Sequence, residues 1–156
     1  MIDFTLEHLF SYEATIGPPE LIGAVPEGLR ANFHVTGGTV TGSKVHGKVL
    51  PGGSDCLLMR PDGVAIVDVR LTMQTHDGAI IFATYHGLCD LGADGYQQFM
   101  AGHPPAAGSA LRIFPRFQTA HEDYKWLQRL ACIGIGEAHI DFGGESKLIF
   151  DIHAVK

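Results

Sequence analysis

Two tight-turn signals divide residues 50–88 into three short, apolar-rich segments, and this pattern constrains the fold more than any other feature. The first turn is the Pro-Asp-Gly sequence at 61–63, where proline has a preset φ and glycine can take positive φ. The second is Asp77-Gly78, a strong short-range signal for a β-hairpin. The stretch is therefore predicted to form three consecutive antiparallel strands.

The middle segment of this stretch alternates between two kinds of side chain. Because successive side chains of a strand point to opposite faces, this alternation separates an apolar face from a polar one. The apolar face carries Ala65, Val67, Val69, Leu71 and Met73, and the other carries Asp68, Arg70, Thr72 and Gln74. Such a strand is typical of a barrel or sandwich with a polar site on one side of the sheet.

The rest of the chain continues the run of short strands. Strands are predicted at residues 2–16, 29–35, 39–50, 111–119, 129–140 and 146–155, with a helix at 90–102 and a helical turn at 121–127. Residues 20–28 are interpreted as a loop, and Gly37-Gly38 as a break between strands. The chain is thus predicted to be all-β, a single antiparallel β-barrel domain over residues 1–156, with about eight or nine strands and one short helix.

The last two strands are predicted to pair as a hairpin around Gly143-Gly144. An odd loop centred on Gly144 would place Ala138 opposite Phe150, so that apolar side chains share a face. An even loop would instead set Glu137 against Phe150, which is less favourable.

Charge and cysteine content exclude several classes of protein. The formal net charge is −6 and no stretch concentrates Lys and Arg, which argues against nucleic-acid binding. No apolar run approaches the roughly 20 residues of a membrane helix, and the N-terminus does not resemble a leader peptide. The three cysteines are scattered and form no CxxC motif, which indicates reduced thiols and a cytoplasmic location.

The two turns also predict which side chains meet across the strands. A two-residue turn at Asp77-Gly78 would place Arg70 opposite Tyr85. A three-residue loop at 61–63 would place Cys56 opposite Asp68 and Ser54 opposite Arg70. On this basis Asp68, Arg70 and Tyr85 are predicted to form a catalytic cluster, with Asp68 as base, Arg70 holding a carbonyl or carboxylate, and Tyr85 as proton donor.

Alternative interpretations remain for each candidate. Asp68 and Arg70 could form an ion pair on a solvated outer face, which is the common environment of charged strand residues. The pairs His139 with Asp141 and Asp151 with His153 share strand faces, but no HxH, HExxH or Cys/His cluster is present, so no metal site is predicted. Neighbouring Tyr124 and Trp126 either plug the core or form the wall of a pocket.

Several motifs resemble those of a widespread family of small bacterial and fungal proteins, known chiefly as a domain of unknown function. The similar segments are Thr36-Gly37-Gly38-Thr39, Leu50-Pro51-Gly52-Gly53 with Asp55, Arg60-Pro61-Asp62-Gly63, Asp68 with Arg70, Asp77-Gly78, Pro115-Arg116-Phe117, and Tyr124 with Trp126-Leu127. The family is similar to barrels of the allene oxide cyclase and dirigent type, which bind apolar small molecules and steer a cyclisation or isomerisation. Cys56 and Gln128 depart from the family pattern, which often has a large aromatic and an Asn at these places.

The resemblance implies a ligand site and no cofactor. It picks out Asp68, Arg70, Arg116 and Trp126 as recurrent positions, and we expect Arg116 and Trp126 near the mouth of the pocket. The substrate-binding candidates are Arg116, Trp126, Tyr124, Cys56 and Asp55.

Two functions follow as hypotheses. The first is a cofactor-free lyase, isomerase or cyclase acting on a small apolar carbonyl compound. The alternative is a non-catalytic small-molecule binding or carrier protein. A homo-oligomer is also expected, because Val64 and Ile66 lie opposite Val67 and Val69, and a sheet that is apolar on both faces must be covered.

Overall fold

The computed structural model describes residues 2–156, which form ten strands and two short helices. The α-helix α1 covers Gly95–Met100, and a 3₁₀ helix covers Glu122–Arg129. The strands are β1 Leu6–Ile16, β2 Glu20–Val25, β3 Gly28–Thr41, β4 Gly47–Val49, β5 Ser54–Met59, β6 Val64–Thr75, β7 Ile80–Asp90, β8 Ser109–Gln118, β9 Cys132–His139 and β10 Ser146–Val155.

The strands close into a barrel. From β1 the antiparallel order runs through β10, β9, β8, β7 and β6, and β3 completes the circle by pairing with β1. Between β6 and β3, the strands β4 and β5 occupy successive parts of one position, and β2 pairs with the first part of β3. The result is a closed eight-strand antiparallel barrel with two extra strands, which confirms the predicted fold class.

Alternation along each strand builds the core inside the barrel. On β6 the predicted apolar face points inward and is buried throughout, from Ala65 to Met73. At one end of the interior the rings of Phe10 and Phe117 meet edge to face, with centroids 5.5 Å apart. Aromatic pairs of this kind bury a large apolar area and pack to high density.

The β6–β7 hairpin forms at Asp77-Gly78 as predicted, but its register is shifted by one residue. Thr75 N–H donates to the Ala79 carbonyl at 2.9 Å, and Gly78 N–H donates to the Thr75 carbonyl at 2.9 Å, which makes a three-residue loop. Val69 therefore lies opposite Tyr85. A shift of one residue moves a side chain to the other face, so the prediction that Arg70 faces Tyr85 is wrong.

The turn at residues 60–64 has the same hydrogen-bond pattern and was predicted correctly. Arg60 N–H donates to the Val64 carbonyl, and Gly63 N–H donates to the Arg60 carbonyl, both at 3.0 Å. Ser54 lies opposite Arg70, as the three-residue loop requires.

The β9–β10 hairpin keeps the predicted faces with a register shifted by two residues. Ala138 lies opposite Leu148, not opposite Phe150. The reason lies in Asp141, whose Oδ1 accepts the Gly143 N–H at 2.9 Å and whose own N–H donates to Ser146 Oγ at 2.9 Å. These bonds centre the turn on Gly143, and a shift of two leaves every side chain on its predicted face.

Several other predicted boundaries are wrong, and the predicted strand 39–50 is divided between the end of β3 and the short strand β4. Residues 20–25 form a strand where a loop was predicted, and the helix is six residues long because α1 begins only at Gly95. Strand β3 continues through Gly37-Gly38 without the predicted break. Gly38 has φ 150°, and a Cβ there would lie 2.0 Å from the Glu13 carbonyl oxygen, so only glycine lets β3 approach β1.

The two ends of the barrel differ. The end that carries the β5–β6 turn, α1 and the β9–β10 loop is named the open end. The end that carries the β6–β7 turn and the 3₁₀ helix is named the plugged end, because Tyr124 and Leu127 of that helix are buried. Within residues 2–156, no helix has the length and apolar character needed to cross a membrane.

Candidate functional site

An apolar cavity occupies the barrel interior at the open end. It has about 560 Å³ of atom-free space including its mouth, of which about 50 Å³ is room for the centres of water-sized molecules. The cavity is lined by Ile16, Phe33, Asp55, Leu57, Met59, Ala65, Val67, Val69, Tyr85, Cys89, Leu91, Phe99, Pro105, Leu111, Ala138, Ile140, Leu148 and Phe150. A concave apolar space with a few converging polar groups is the usual form of a small-molecule site.

Two of the polar side chains in this cavity lie in one row across three strands. Asp55 of β5 is directly opposite Val69 of β6, which is directly opposite Tyr85 of β7. All three are buried on the inner face. Since neighbouring strands are roughly 4.8 Å apart, the main chains at Asp55 and Tyr85 are separated by about 10 Å, and the Val69 side chain lies between them on the same inner face.

Asp55 is a carboxyl group in an unusual setting. Its side chain lies on the inward-facing side of β5, as do those of Leu57 and Met59. Its Oδ1 accepts a hydrogen bond from the Asp68 N–H at 3.0 Å. The β5–β6 pairing is interrupted there, between Asp55–Val69 and Leu58–Ile66. Burial raises the pKa of Asp55 to about 7, although the hydrogen bond from the Asp68 N–H acts in the opposite direction. Near neutral pH this group can therefore both accept and return a proton.

Tyr85 is coupled to a second tyrosine that lies across the interior. The Tyr12 hydroxyl of β1 donates to the Tyr85 oxygen at 3.0 Å, and both residues are buried. The ring of Phe150 packs against both, with centroid distances of 5.2 Å to Tyr12 and 6.1 Å to Tyr85. Burial raises the pKa of Tyr12 and of Tyr85 above their ordinary value, so both hydroxyls stay protonated.

Cys89 is the third polar group on the cavity wall. It is a free thiol near the open end. Burial raises the pKa of Cys89 to about 11, and a protonated thiol is a poor nucleophile. We therefore assign it to the apolar wall.

The predicted catalytic cluster is not brought together. Asp68 and Arg70 lie on the outer face of β6, where Arg70 Nη1 is 2.9 Å from Asp68 Oδ1. The Arg70 side chain is 55% exposed, and His86 Nδ1 lies 3.7 Å from the same Asp68 oxygen. The alternative interpretation, an ion pair on a solvated outer face, is confirmed. Tyr85 is the only one of the three that faces the interior.

The five predicted substrate-binding residues occupy different parts of the molecule. Asp55 lines the cavity, whereas Cys56 is on the outer face of β5 and Arg116 is exposed on the outer face of β8. Tyr124 donates through its hydroxyl to Asp77 at the plugged end, at 3.0 Å from each carboxylate oxygen. Trp126 belongs to the same 3₁₀ helix, so the expectation that Arg116 and Trp126 lie near the pocket mouth is wrong.

Tyr12 is the site residue that the sequence reasoning missed. It occupies the inward phase of β1 between Phe10 and Ala14, which is a visible sequence signal for a polar group inside the barrel. Asp55 carries the same kind of signal, since it is a lone charged residue in the apolar phase of its strand. Within residues 2–156, no group of three or more His, Cys, Asp or Glu side chains is arranged to hold a metal ion.

Comparisons with solved structures show several similar barrels. A protein of unknown function from Clostridium acetobutylicum has a TM-score of 0.86 at 25% identity, with 99% of this chain and 100% of that chain covered. A β-barrel-like protein from Acinetobacter baumannii has a TM-score of 0.78 at 25% identity, covering 100% and 98%. An enzyme from Penicillium herquei has a TM-score of 0.70 at 21% identity, covering 100% and 97%, which shows the fold alone.

Sequence relatives agree with this result. A UPF0311 protein from Bradyrhizobium diazoefficiens is 31% identical over 150 residues, which cover 96% of this chain and 95% of the relative. A UPF0311 protein from Rhodopseudomonas palustris is 30% identical over 154 residues, which cover 97% of each. The family model described as a protein of unknown function (DUF3237) matches residues 4–155. The chain therefore belongs to the DUF3237 family, as its motifs indicated.

Proposed function

We propose that the interior cavity binds a small apolar carbonyl compound and that Asp55 transfers a proton on it without a cofactor, as a lyase, isomerase or cyclase would. The observation that carries the proposal is the position of Asp55, a buried carboxyl on the wall of an otherwise apolar cavity. A group in such a place serves proton transfer best when its pKa lies near the working pH, and the pKa of Asp55 is about 7.

The cost of burying Asp55 supports a functional role. A buried carboxyl loses hydration, and its Oδ1 regains only the hydrogen bond from the Asp68 N–H. An apolar residue at this position would fill the core without that cost, as Leu57 and Met59 do on the same face of β5. Buried polar groups that cost folding free energy and have shifted pKa values are concentrated at functional sites.

The cover over the cavity suits a small ligand. Leu91, Phe99 and Pro105, which lie on or beside α1, form part of the wall at the open end. The Phe99 ring packs on Phe142 of the β9–β10 loop, with centroids 5.1 Å apart. Since the enclosed space holds only a few water-sized molecules, we expect a ligand of about one ring to enter when this cover shifts.

Proton exchange tests the proposal without knowledge of the natural product. Cyclohexanone and indanone would be incubated with the protein in heavy water, and loss of the protons next to the carbonyl would be followed by NMR. The native protein should accelerate this exchange, and Asp55→Asn should abolish the acceleration while retaining binding, because the amide keeps the shape and loses the base. Arg70→Ala on the outer face is the matched control and should exchange normally.

A carrier function is the second candidate, because the cavity wall is apolar apart from Asp55, Cys89 and Tyr85. Binding of the ketones with no accelerated exchange in the native protein would support the carrier. Equal exchange by the native protein and Asp55→Asn would remove the proposed base.

We also propose that the protein associates with a second copy of itself through the outer face of β7 to β10. Leu88, Phe114, Ile135 and Ile149 are exposed on these neighbouring strands, and Phe114 is 57% exposed. Exposed apolar side chains concentrated on one face are typical of an interface. Light scattering should give a mass above the 16.8 kDa of one chain, and Phe114→Asp should restore that value. A native protein that already has the mass of one chain would contradict this.

A further inference from the structure

The charges around the interior cavity restrict what it can bind. Among the residues that the structure describes, no Lys, Arg or His lines the cavity, and the polar wall groups are Asp55, Tyr85 and Cys89. A carboxylate or phosphate would lose its hydration there without gaining a cation, and it would be repelled by Asp55 in its ionised form. This argues for an uncharged ligand.

The hydrogen bond between the two tyrosines determines which proton is available to that ligand. The Tyr12 hydroxyl is buried, and its one hydrogen bond within residues 2–156 is the 3.0 Å bond in which it donates to Tyr85. Tyr85 lines the cavity, and Tyr12 does not. Since a phenol has one proton to donate, Tyr85 accepts from Tyr12 and keeps its own proton for an acceptor in the cavity.

We infer that the ligand is an uncharged ketone or aldehyde with a removable C–H proton next to its carbonyl group, bound through the carbonyl oxygen to the Tyr85 hydroxyl, with Tyr12 as a positioning residue. The inference rests on the proposed function of the cavity and adds the chemical class of the ligand. Asp55 and Tyr85 place an acceptor and a donor on the wall of one cavity, on strands β5 and β7, with Val69 of β6 between them.

The proton transfer balances without any further reactant. A carboxylate oxygen of Asp55 takes the proton from carbon, and the C–H electron pair forms a carbon–carbon double bond. The carbonyl π pair moves to oxygen, which becomes an enolate anion and accepts a hydrogen bond from Tyr85. Asp55 then returns the proton to the same carbon, which can invert its configuration. Where a carbon–carbon double bond of the ligand is conjugated with the enolate, Asp55 returns the proton to the far end of the dienolate, and the double bond shifts to give an isomer. The enolate is negative only while Asp55 is neutral, so the net charge of the cavity is constant throughout.

A stable anion can stand in for the enolate. Pentafluorophenol is ionised at about pH 8, and hexafluorobenzene has a similar ring without the hydroxyl group. Binding of each probe would be measured by fluorine NMR. In Asp55→Asn the carboxylate charge is absent, as it is at the enolate stage, and the side-chain oxygen that accepts the Asp68 N–H is kept.

We expect Asp55→Asn to bind the phenolate at least about 10-fold more tightly than the native protein, because a like charge has been removed. In the Asp55→Asn background, Tyr85→Phe should weaken phenolate binding by about 10- to 100-fold, the range for a hydrogen bond to a charged group. Tyr12→Phe in the same background should weaken it by a smaller factor. None of these changes should alter the affinity for hexafluorobenzene by more than about 3-fold, since the apolar wall is retained.

The native protein supplies a second measurement that needs no variant. Its affinity for the phenolate should rise as pH falls through about 7, where Asp55 gains its proton. Hexafluorobenzene binding should change less over the same range.

Failure of the inferred ligand class and failure of the proposed function give different experimental results. If hexafluorobenzene binds but phenolate affinity is unaffected by Asp55→Asn or by Tyr85→Phe, the inferred ligand class is overturned and the cavity remains a binding site. Tighter binding of 4-fluorobenzylamine than of hexafluorobenzene to the native protein would also overturn it, because Asp55 would then select a cation. If none of the probes binds, the proposed function itself fails.

Discussion

The two ends of the barrel are built from the same strands but differ in how their interiors are filled. At the plugged end, the 3₁₀ helix closes the barrel, and Phe10 packs edge to face on Phe117. At the open end, the interior is hollow, and Asp55 and Tyr85 line its wall. Close packing and the polar groups of the cavity are therefore separated along the barrel axis, so that the packed half can supply the stability that the half with the cavity lacks.

Core truncations should show the largest difference between the ends. Phe10→Ala removes a ring that is 0% exposed and should cost about 3–5 kcal/mol of unfolding free energy. Phe99→Ala removes a ring of the same size at the edge of an existing cavity, and we expect less than half of that loss. Urea denaturation of both variants measures the difference. Equal losses would mean that the two ends are packed alike.

The carboxyl group at the open end should make stability depend on pH. The pKa of Asp55 is raised from 3.8 to about 7 on folding, so between these values the folded state holds more protons than the unfolded state. Stability therefore falls as pH rises through this window, by up to about 4 kcal/mol in total. Asp55→Asn should lack this fall and be more stable than the native protein at about pH 8. Parallel stability curves for the two proteins would contradict the assignment.

The Asp77 carboxyl group at the plugged end should make stability depend on pH in the opposite direction, so that stability falls as pH falls. Hydrogen bonds, first from the Thr75 hydroxyl and then from Tyr124, lower the pKa of Asp77 below its ordinary value. Its stabilising contribution is present above the ordinary pKa and is lost as pH falls through the folded value. Tyr124→Phe should therefore destabilise the protein at neutral pH and should destabilise it less in acid. Thermal melts across the acid range would check this, and a constant difference would count against it.

A substitution on the outer face of β6 should have the smallest effect on stability. Arg70 and Asp68 form an ion pair in which the side chains are 55% and 33% exposed. Exposed pairs contribute at most about 1 kcal/mol, and Arg70→Ala should stay within that range. Ketone binding and proton exchange should be unchanged, because the pair lies outside the cavity. Loss of proton exchange in Arg70→Ala would indicate instead that Asp68 and Arg70 belong to the functional site.

The sequence was sufficient to predict the barrel because alternation and turn signals are local. The predicted division of β6 into an apolar and a polar face is correct, and so are the Ser54–Arg70 pairing and both faces of the last hairpin. Strand β2 was missed, since Pro and Gly residues around it are equally typical of a loop. The length of the helix was overestimated because Asp90, the first residue of the predicted helix, instead ends β7.

The site could be predicted only in part. Asp-Gly is compatible with a two-residue or a three-residue turn, and the choice depends on Thr75, whose hydroxyl donates to Asp77. Because the observed register differs from the predicted one by one residue, Tyr85 lies opposite Val69 on the inner face, whereas Arg70 lies on the outer face. The bond between Tyr12 and Tyr85 joins β1 to β7, which are not neighbours in the sheet, so no turn or register argument could have found it.

We propose that the open end of the barrel holds a buried carboxyl group that accepts and returns a proton. The most direct test is a titration of the Asp55 carboxyl carbon by NMR in protein labelled with ¹³C at aspartate, with Asp55→Asn used to assign the signal. We expect a pKa for Asp55 of about 7. A pKa for Asp55 near the ordinary 3.8 would contradict it, because the carboxyl would then be a weak base already ionised at all working pH values.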